Sequence, residues 1–324
     1  MRREKNREKT RIENYLDSDY DKLRDLHCTV IGLGTLGSKT SETLGKIGCD
    51  LNLIDRDFLE SRNLDNQNYS KDEVGNLKAE IMKEKIEKIS KDKNQDISCS
   101  PIDLNSNNIE REVKNTDVII DSTDNLRTRL LLNDYSVKEN VPLIIGMIGG
   151  AKGMTMTVEK GGPCLRCVLG EEPASEDTCD QLGVSPGIAE IISALQVKQI
   201  EKIVKGRPMK NLLNINLEKM SFDKLKTKNK KDCSTCNGKY KELSRIKEAR
   251  TLCSEDSVQI YPRITEPEKV KEINPEVETY GDKIAILNKD NVRISVYSSG
   301  KAIVKGVESV EEARRKYDEL LGGR

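Results

Sequence analysis

Two sets of residues in this chain have the types and spacing to do chemistry. Gly32-x-Gly34-x-x-Gly37 lies in the stretch VIGLGTLGS, between an apolar run and a helical pattern. Glycines at that spacing let backbone N–H groups approach a phosphate at a helix N-terminus. Cys164-Leu165-Arg166-Cys167 and Cys233-Ser234-Thr235-Cys236 form two C-x-x-C pairs, flanked by Gly161-Gly162-Pro163 and Gly238. Each pair on a tight turn can place two thiolates on one Zn²⁺. Four thiolates leave no open position, which makes the metal structural. The long stretch between the pairs makes this a clasp joining distant segments, and the alternative is a redox-active or metal-free pair.

The glycine spacing alone suits either NAD or ATP. Asp55 ends the second apolar run, where a carboxylate can bond ribose hydroxyls. Asp57, Asn63, Asn66 and Gln67 follow in RDFLESRNLDNQ, and Lys78 opens a helical run after Gly75. Asp124 and Asn125 stand in IIDSTDN, with Arg127, Arg129 and Asn133 just beyond. A hydride-transfer enzyme needs few of these groups. An enzyme that splits a triphosphate needs cations on the phosphates and a carboxylate for Mg²⁺. Taken singly, each acid or arginine reads as a surface ion pair. Their order after the glycine turn carries the nucleotide reading. The sole histidine, His27, precedes the first strand and is badly placed for hydride chemistry.

The elements that must position these residues can be read from periodicity. Short apolar runs predict parallel strands at 29–31, 51–55, 97–101, 118–121 and 142–145. Helical patterns over 35–47, 77–90, 108–113 and 126–139 alternate with them. This predicts an α/β fold, a doubly wound, Rossmann-like, mostly parallel sheet. Beyond Gly150 a strand is expected at 154–158, a helix at 188–204 and a strand at 212–215. From about Leu252 the pattern predicts a small α+β appendage with strands at 258–260, 283–287, 293–297 and 302–304. Ser309 then caps a helix through Leu321. The expected divisions are 1–26 as a helical segment, 27–250 as the main domain with the four-cysteine zinc clasp, and 251–324 as the appendage. The ending LLGG followed by Arg324 reads as a glycine-stopped helix rather than a threading tail.

Lys plus Arg and Asp plus Glu are 55 each, so no net charge points to direct nucleic-acid binding. No run is long and apolar enough for a membrane span. The start, MRREKNREKTRIENY, has no apolar stretch of a secretory leader, so a cytoplasmic protein is expected. Nine cysteines in a reducing compartment read as metal ligands, reactive thiols or core residues. Cys28, Cys49 and Cys99 lie in or beside strands and read as core.

From about Arg11 to Cys236 the chain resembles the ThiF/MoeB/HesA family, the ubiquitin-activating-enzyme-like adenylyltransferases. The resemblance implies that Asp55 holds the ribose, that Asp57, Asn63, Gln67 and Lys78 line ribose and phosphates, and that Asp124 binds Mg²⁺ beside Asn125. The family usually reads SNLNRQ, and Asn66 stands here in the place of its arginine. Arg62 or Arg129 is the candidate substitute. Arg11 is the nearest match to an arginine that a partner chain supplies in dimeric relatives. Cys179, in a TC…GV setting, matches the cysteine that takes the activated carboxylate or sulfur, and Cys253 is a second candidate thiol. ATP, Mg²⁺ and Zn²⁺ are the implied cofactors. A ubiquitin-like or sulfur-carrier protein ending in Gly-Gly is the implied substrate, with a sulfur donor as a further partner and a homodimer as the assembly. The competing readings are a non-catalytic scaffold for a ubiquitin-like partner and an NAD-dependent oxidoreductase.

Overall fold

The structure is a computed structural model that describes residues 10–90, 94–171, 183–244, 250–252 (backbone only), 257–262, 264–289 and 291–322. Cys179 and Cys253 lie outside the described residues. The chain divides into two units. One holds the described residues up to Ser100 and Asn108–Ser244; the other holds Pro101–Asn107 and the described residues from 250 onward.

The first unit is built on β1 (His27–Ile31), β2 (Asp50–Ile54), β3 (Ile97–Ser100), β4 (Val118–Asp121), β5 (Leu143–Gly149), β6 (Lys152–Val158), β7 (Asn211–Asn216) and β8 (Ser221–Lys226). Their order in one sheet is β3-β2-β1-β4-β5-β6-β7-β8. The first five are parallel, and β5 to β8 pair antiparallel. The chain winds outward from β1 to β3, then returns to the other side of β1 at β4. That reversal opens a crevice beyond the carboxyl ends of β1 and β4, where ligands of such sheets bind. All of β4 and most of β1 and β2 are buried, because helices cover both faces of a parallel sheet.

Two differences from the sequence reading have a physical cause. β5 runs on to Gly149 and turns at Gly150 (φ +57°) into β6, so the strand is longer than its apolar core. β8 has no counterpart among the expected strands. It is an edge strand with Phe222 and Leu225 exposed and lysines between and beside them, so it carries no buried alternation to read. At the other end of the unit, helices Arg11–Leu16 and Ser18–Arg24 bury Leu16 and Leu23 in the main core. Thr10 and Glu13 close the first of these helices with a capping box.

The second unit is a six-stranded antiparallel sheet: β9 (Arg250–Leu252), β10 (Ser257–Ile260), β11 (Glu278–Tyr280), β12 (Ile284–Lys289), β13 (Val292–Tyr297) and β14 (Lys301–Lys305). Its order is β11-β12-β13-β14-β10-β9. Helix Pro267–Ile273, with proline in its first turn, and helix Val310–Leu321 complete it. Val258, Ile294, Val304, Ala313, Tyr317 and Leu321 share its own core. The last helix ends at Leu321, 2 % exposed, with Gly322 at its cap, and Gly323 and Arg324 of the LLGG ending lie outside the described residues. Within this unit the Asp103 N–H donates to Ser299 O at 2.7 Å. No helix among the described residues is long and apolar enough to cross a membrane.

Candidate active site and metal centre

The turn after β1 is shaped by what its glycines exclude. Gly32 has φ +83°, and a Cβ there would stand 2.8 Å from Ser122 O. A Cβ on Gly37 would stand 1.8 Å from Gly32 O. Both positions therefore require glycine, and the helix Gly37–Ile47 starts hard against the turn. Asp55 closes the other side. Its Oδ2 accepts from Leu33 N at 2.6 Å and its Oδ1 from Asp57 N at 2.8 Å. The carboxyl is buried. Burial first, and then the Asp57 charge, push its pKa up to about 6, while Lys78 and the two backbone donors pull it back.

Lys78 opens the helix Lys78–Ile89, is only 6 % exposed, and reaches Asp57 Oδ2 at 3.7 Å. Gln67 Nε2 lies 3.8 Å from where a Gly34 Cβ would be, and Gln67 Oε1 is buried without a hydrogen-bond partner. An orphaned buried acceptor beside a glycine turn suits a ligand donor. Asn63 spends its Oδ1 on Glu60 N, and Asn66 is exposed. Sequence reasoning missed Tyr69, whose hydroxyl donates to Leu33 O at 2.7 Å and fixes the turn from the loop side. An isolated tyrosine carries no motif, so no signal marked it.

The far wall is the carboxyl end of β4. Asp121 is fully buried and paired with Arg129 Nε at 3.3 Å, and its Oδ1 accepts from Thr123 N–H and O–H. Burial raises its pKa against the pull of Arg129. Arg129 also donates to Gly146 O at 3.2 Å and to Thr123 O. Its guanidinium thus ties β4 to β5 instead of standing open. Asn125 Oδ1 caps the helix Leu126–Glu139 by accepting from Thr128 N. Asp124, between the buried Asp121 and the half-buried Asn125, is exposed. Gln196, fully buried, bridges Asp121 O and Thr40 and was also missed. Arg62 is 78 % exposed on its side chain and paired with Glu60 at 2.7 Å, and Arg11 is exposed on the first helix. Neither stands in the cradle of this chain.

The clasp brings together what the sequence separates. Cys164 and Cys167 flank the start of helix Leu165–Leu169, and Cys233 and Cys236 lie at the 3₁₀ turn Thr235–Asn237. The Sγ separations are 3.9 Å for 164–167, 3.4 Å for 164–233 and 3.5 Å for 167–236, and all four lie within 4.8 Å of one another. These are free thiols. A tetrahedron with metal–sulfur bonds of about 2.3 Å has edges of about 3.8 Å, so the spacing fits one metal ion. Of the other described cysteines, Cys28 and Cys49 are fully buried, while Cys99 is only half-buried, because β3 is the edge of the sheet.

A glycine turn closed by a ribose-type acid at the switch point, with a four-thiol clasp on the same unit, defines a nucleotide-binding α/β protein of the activating type. The ThiF family profile matches residues 7–236, and the chain belongs to that family. It is 28 % identical to the sulfur carrier protein ThiS adenylyltransferase of Bacillus subtilis over 94 % of this chain and 95 % of that protein. It is 31 % identical to the SAMP-activating enzyme E1 of Haloferax volcanii over 64 % of this chain and 78 % of that one. It is 31 % identical to the adenylyltransferase and sulfurtransferase MOCS3 of Aedes aegypti over 72 % of this chain and 55 % of that protein. Two of these relatives are named adenylyltransferases and the third an activating enzyme, and the targets their names state are the sulfur carrier protein ThiS and SAMP. The crystal structure of E. coli MccB with ATP shares the fold, with TM-score 0.59 and 21 % identity over 68 % of this chain and 69 % of that chain.

Proposed function

We propose that this chain uses ATP to adenylate the C-terminal carboxylate of a sulfur-carrier or ubiquitin-like protein ending in Gly-Gly. The observation that carries the reading is Lys78, a nearly buried cation held beside Asp57 and next to the ribose-type acid Asp55. Hydride transfer has no use for it, whereas phosphoryl charge does. Asp55 receives ribose hydroxyls, Gln67 Oε1 accepts from the nucleotide, and the glycine turn takes the phosphates. The carrier's carboxylate attacks the α-phosphorus, the bond to the β-phosphate oxygen breaks, and pyrophosphate leaves. No side chain need act as nucleophile, so positioning and charge neutralisation do the catalysis. Asp124 would hold Mg²⁺, which would supply positive charge for the leaving pyrophosphate. Cys164, Cys167, Cys233 and Cys236 would hold Zn²⁺, which would cross-link distant segments.

In the same reading, a thiolate or persulfide then attacks the acyl-adenylate and releases AMP. Cys179 is the candidate thiol, Cys253 the second, and a sulfur-donor protein the further partner. Asn66 leaves a charge to be replaced; Arg62 and Arg129 are engaged elsewhere, and Arg11 from a second copy in a homodimer is the remaining candidate. Unpaired cysteines suit a reducing cytoplasm.

ATP–pyrophosphate exchange with Mg²⁺ tests this, using candidate Gly-Gly carriers with and without the last two residues. Exchange with one intact carrier and none with its truncation is expected. ATP binding without exchange for any carrier would instead favour a scaffold.

A further inference from the structure

One helix is shared by the two sites. Leu126–Glu139 begins beside Asp124, and its Arg129 holds Asp121 and Thr123 at the end of β4. One turn further on, Asn133 is fully buried and reaches both cysteine knuckles. Its Oδ1 accepts from Leu165 N at 2.7 Å, inside the first pair, and its Nδ2 donates to Thr235 Oγ1 at 3.4 Å, inside the second. The adjacent Asp134 accepts from Thr235 Oγ1 at 2.5 Å and from Glu242 N at 2.9 Å, with Arg166 Nε at 3.8 Å. Arg166 lies between the first two cysteines and also pairs with Glu242 at 3.1 Å. The clasp is therefore bolted to the same helix that anchors the β4 end, one turn away.

We infer that Asn133 and Asp134 are positioning residues through which metal in the clasp fixes the Thr123–Arg129 segment. The segment carries Asp124, so in the adenylation reading, on which the functional consequence rests, the clasp sets the geometry of the Mg²⁺ end of the site. The physical argument is contiguity: a rigid helix, buried hydrogen bonds at both places, and one turn between them. Without metal, four neighbouring thiols lose what joins them, and the two knuckles no longer hold Asn133 from both sides.

Amide hydrogen exchange on the full chain tests this without nucleotide, so it stays decisive even if adenylation is wrong. Three amides report at the site end: Thr123, bonded to Asp121 Oδ1, Thr128, bonded to Asn125 Oδ1, and Arg129, bonded to Asn125 O. Stripping zinc is expected to lower their protection about tenfold and re-adding it to restore them, while amides of β1 and β2 stay unchanged. Asn133→Leu, with zinc bound as read by metal stoichiometry, is expected to show the same loss at these amides and no response to the metal. Should that variant not hold zinc, the wild-type zinc titration decides alone. An unchanged Thr123–Arg129 segment after stripping would overturn the inference. So would equal loss throughout β1 and β2, since the metal would then hold the whole unit and not this helix.

Discussion

The glycine cradle and the cysteine clasp are opposite solutions to building a site. The cradle is assembled mostly from neighbours in the chain, Gly32 to Lys78, and closed by the end of β4, and two of its polar groups are left open: Gln67 Oε1 is orphaned and Asp124 stands exposed. The clasp is assembled across the chain, from Asn133 to Glu242, and its groups face one another: four sulfurs within 4.8 Å, ringed by Asn133, Asp134 and Arg166. A site whose acceptors await a donor is built for a molecule that comes and goes. A site whose four sulfurs converge within 4.8 Å of one another is built for a permanent resident. The two sites share one cost: burial disfavours the charge of Asp55 in the cradle and of Asp134 in the clasp, while Lys78 and Arg166 respectively offset part of it.

That contrast can be broken by experiment, and the largest effect belongs to the cradle. Lys78→Ala is expected to reduce ATP–pyrophosphate exchange by a factor of about 100 or more, as loss of a charge-stabilising group does, with little change in zinc content. A variant with near-normal exchange would remove the cation from the reaction. In the clasp, zinc removal is expected to speed the reaction of Cys164, Cys167, Cys233 and Cys236 with a thiol reagent by at least about tenfold, reversed by zinc, because bound metal holds the four thiolates. Thiol reactivity indifferent to zinc would leave the clasp an apolar thiol cluster.

The Asp55 carboxyl gives the cradle a pH signature. Its folded pKa, about 6, lies above its ordinary value of 3.8, so the folded state holds the proton more tightly. Its contribution to stability is full below the ordinary value and is lost as pH rises through about 6, by up to about 3 kcal/mol. Asp55→Asn should therefore melt at higher temperature than the wild type at pH 7–8 when no nucleotide is present, and match it more closely near pH 4. ATP affinity should run the other way, rising through about pH 6 as the ribose acceptor ionises. A pH-independent affinity would argue against ribose binding at Asp55. The smallest effects concern the missing arginine. Arg62→Ala should change exchange by less than about threefold, because its guanidinium is exposed and held by Glu60. Asn66→Arg should raise exchange by up to about tenfold, as one added charge contact can. A large loss in Arg62→Ala would make Arg62 the substitute after all.

What the sequence made legible follows the same division. The cradle could be read because its parts sit at fixed short offsets in a strand–turn–helix, where periodicity and glycine spacing speak together. The cysteines of the clasp could be read because thiol pairs at that spacing have few other uses. Their anchors could not: Asn133 and Asp134 look like any polar residues of a helix, and their partners at the second pair lie about a hundred positions away. Arg129 was legible as a charge but not as the buried mate of Asp121. β8 and the short helix Pro267–Ile273 escaped for a simpler reason, as each buries too little to leave a pattern.

The grouping of Pro101–Asn107 with the second unit has a consequence for dissecting the molecule. Asp103, Leu104 and Asn105 are each less than a tenth exposed, and Asp103 is bonded to Ser299. A chain ended at Ser244 would keep this loop but lose the sheet it belongs to, leaving a sticky remnant on an otherwise finished domain. Conversely, the isolated C-terminal fragment would carry a gap where a borrowed segment used to sit. The chain visits the second unit, returns to the first, and only then completes the second, so no single cut yields two whole pieces. Splitting them calls for both fragments to be expressed together, so that the loop can find its sheet.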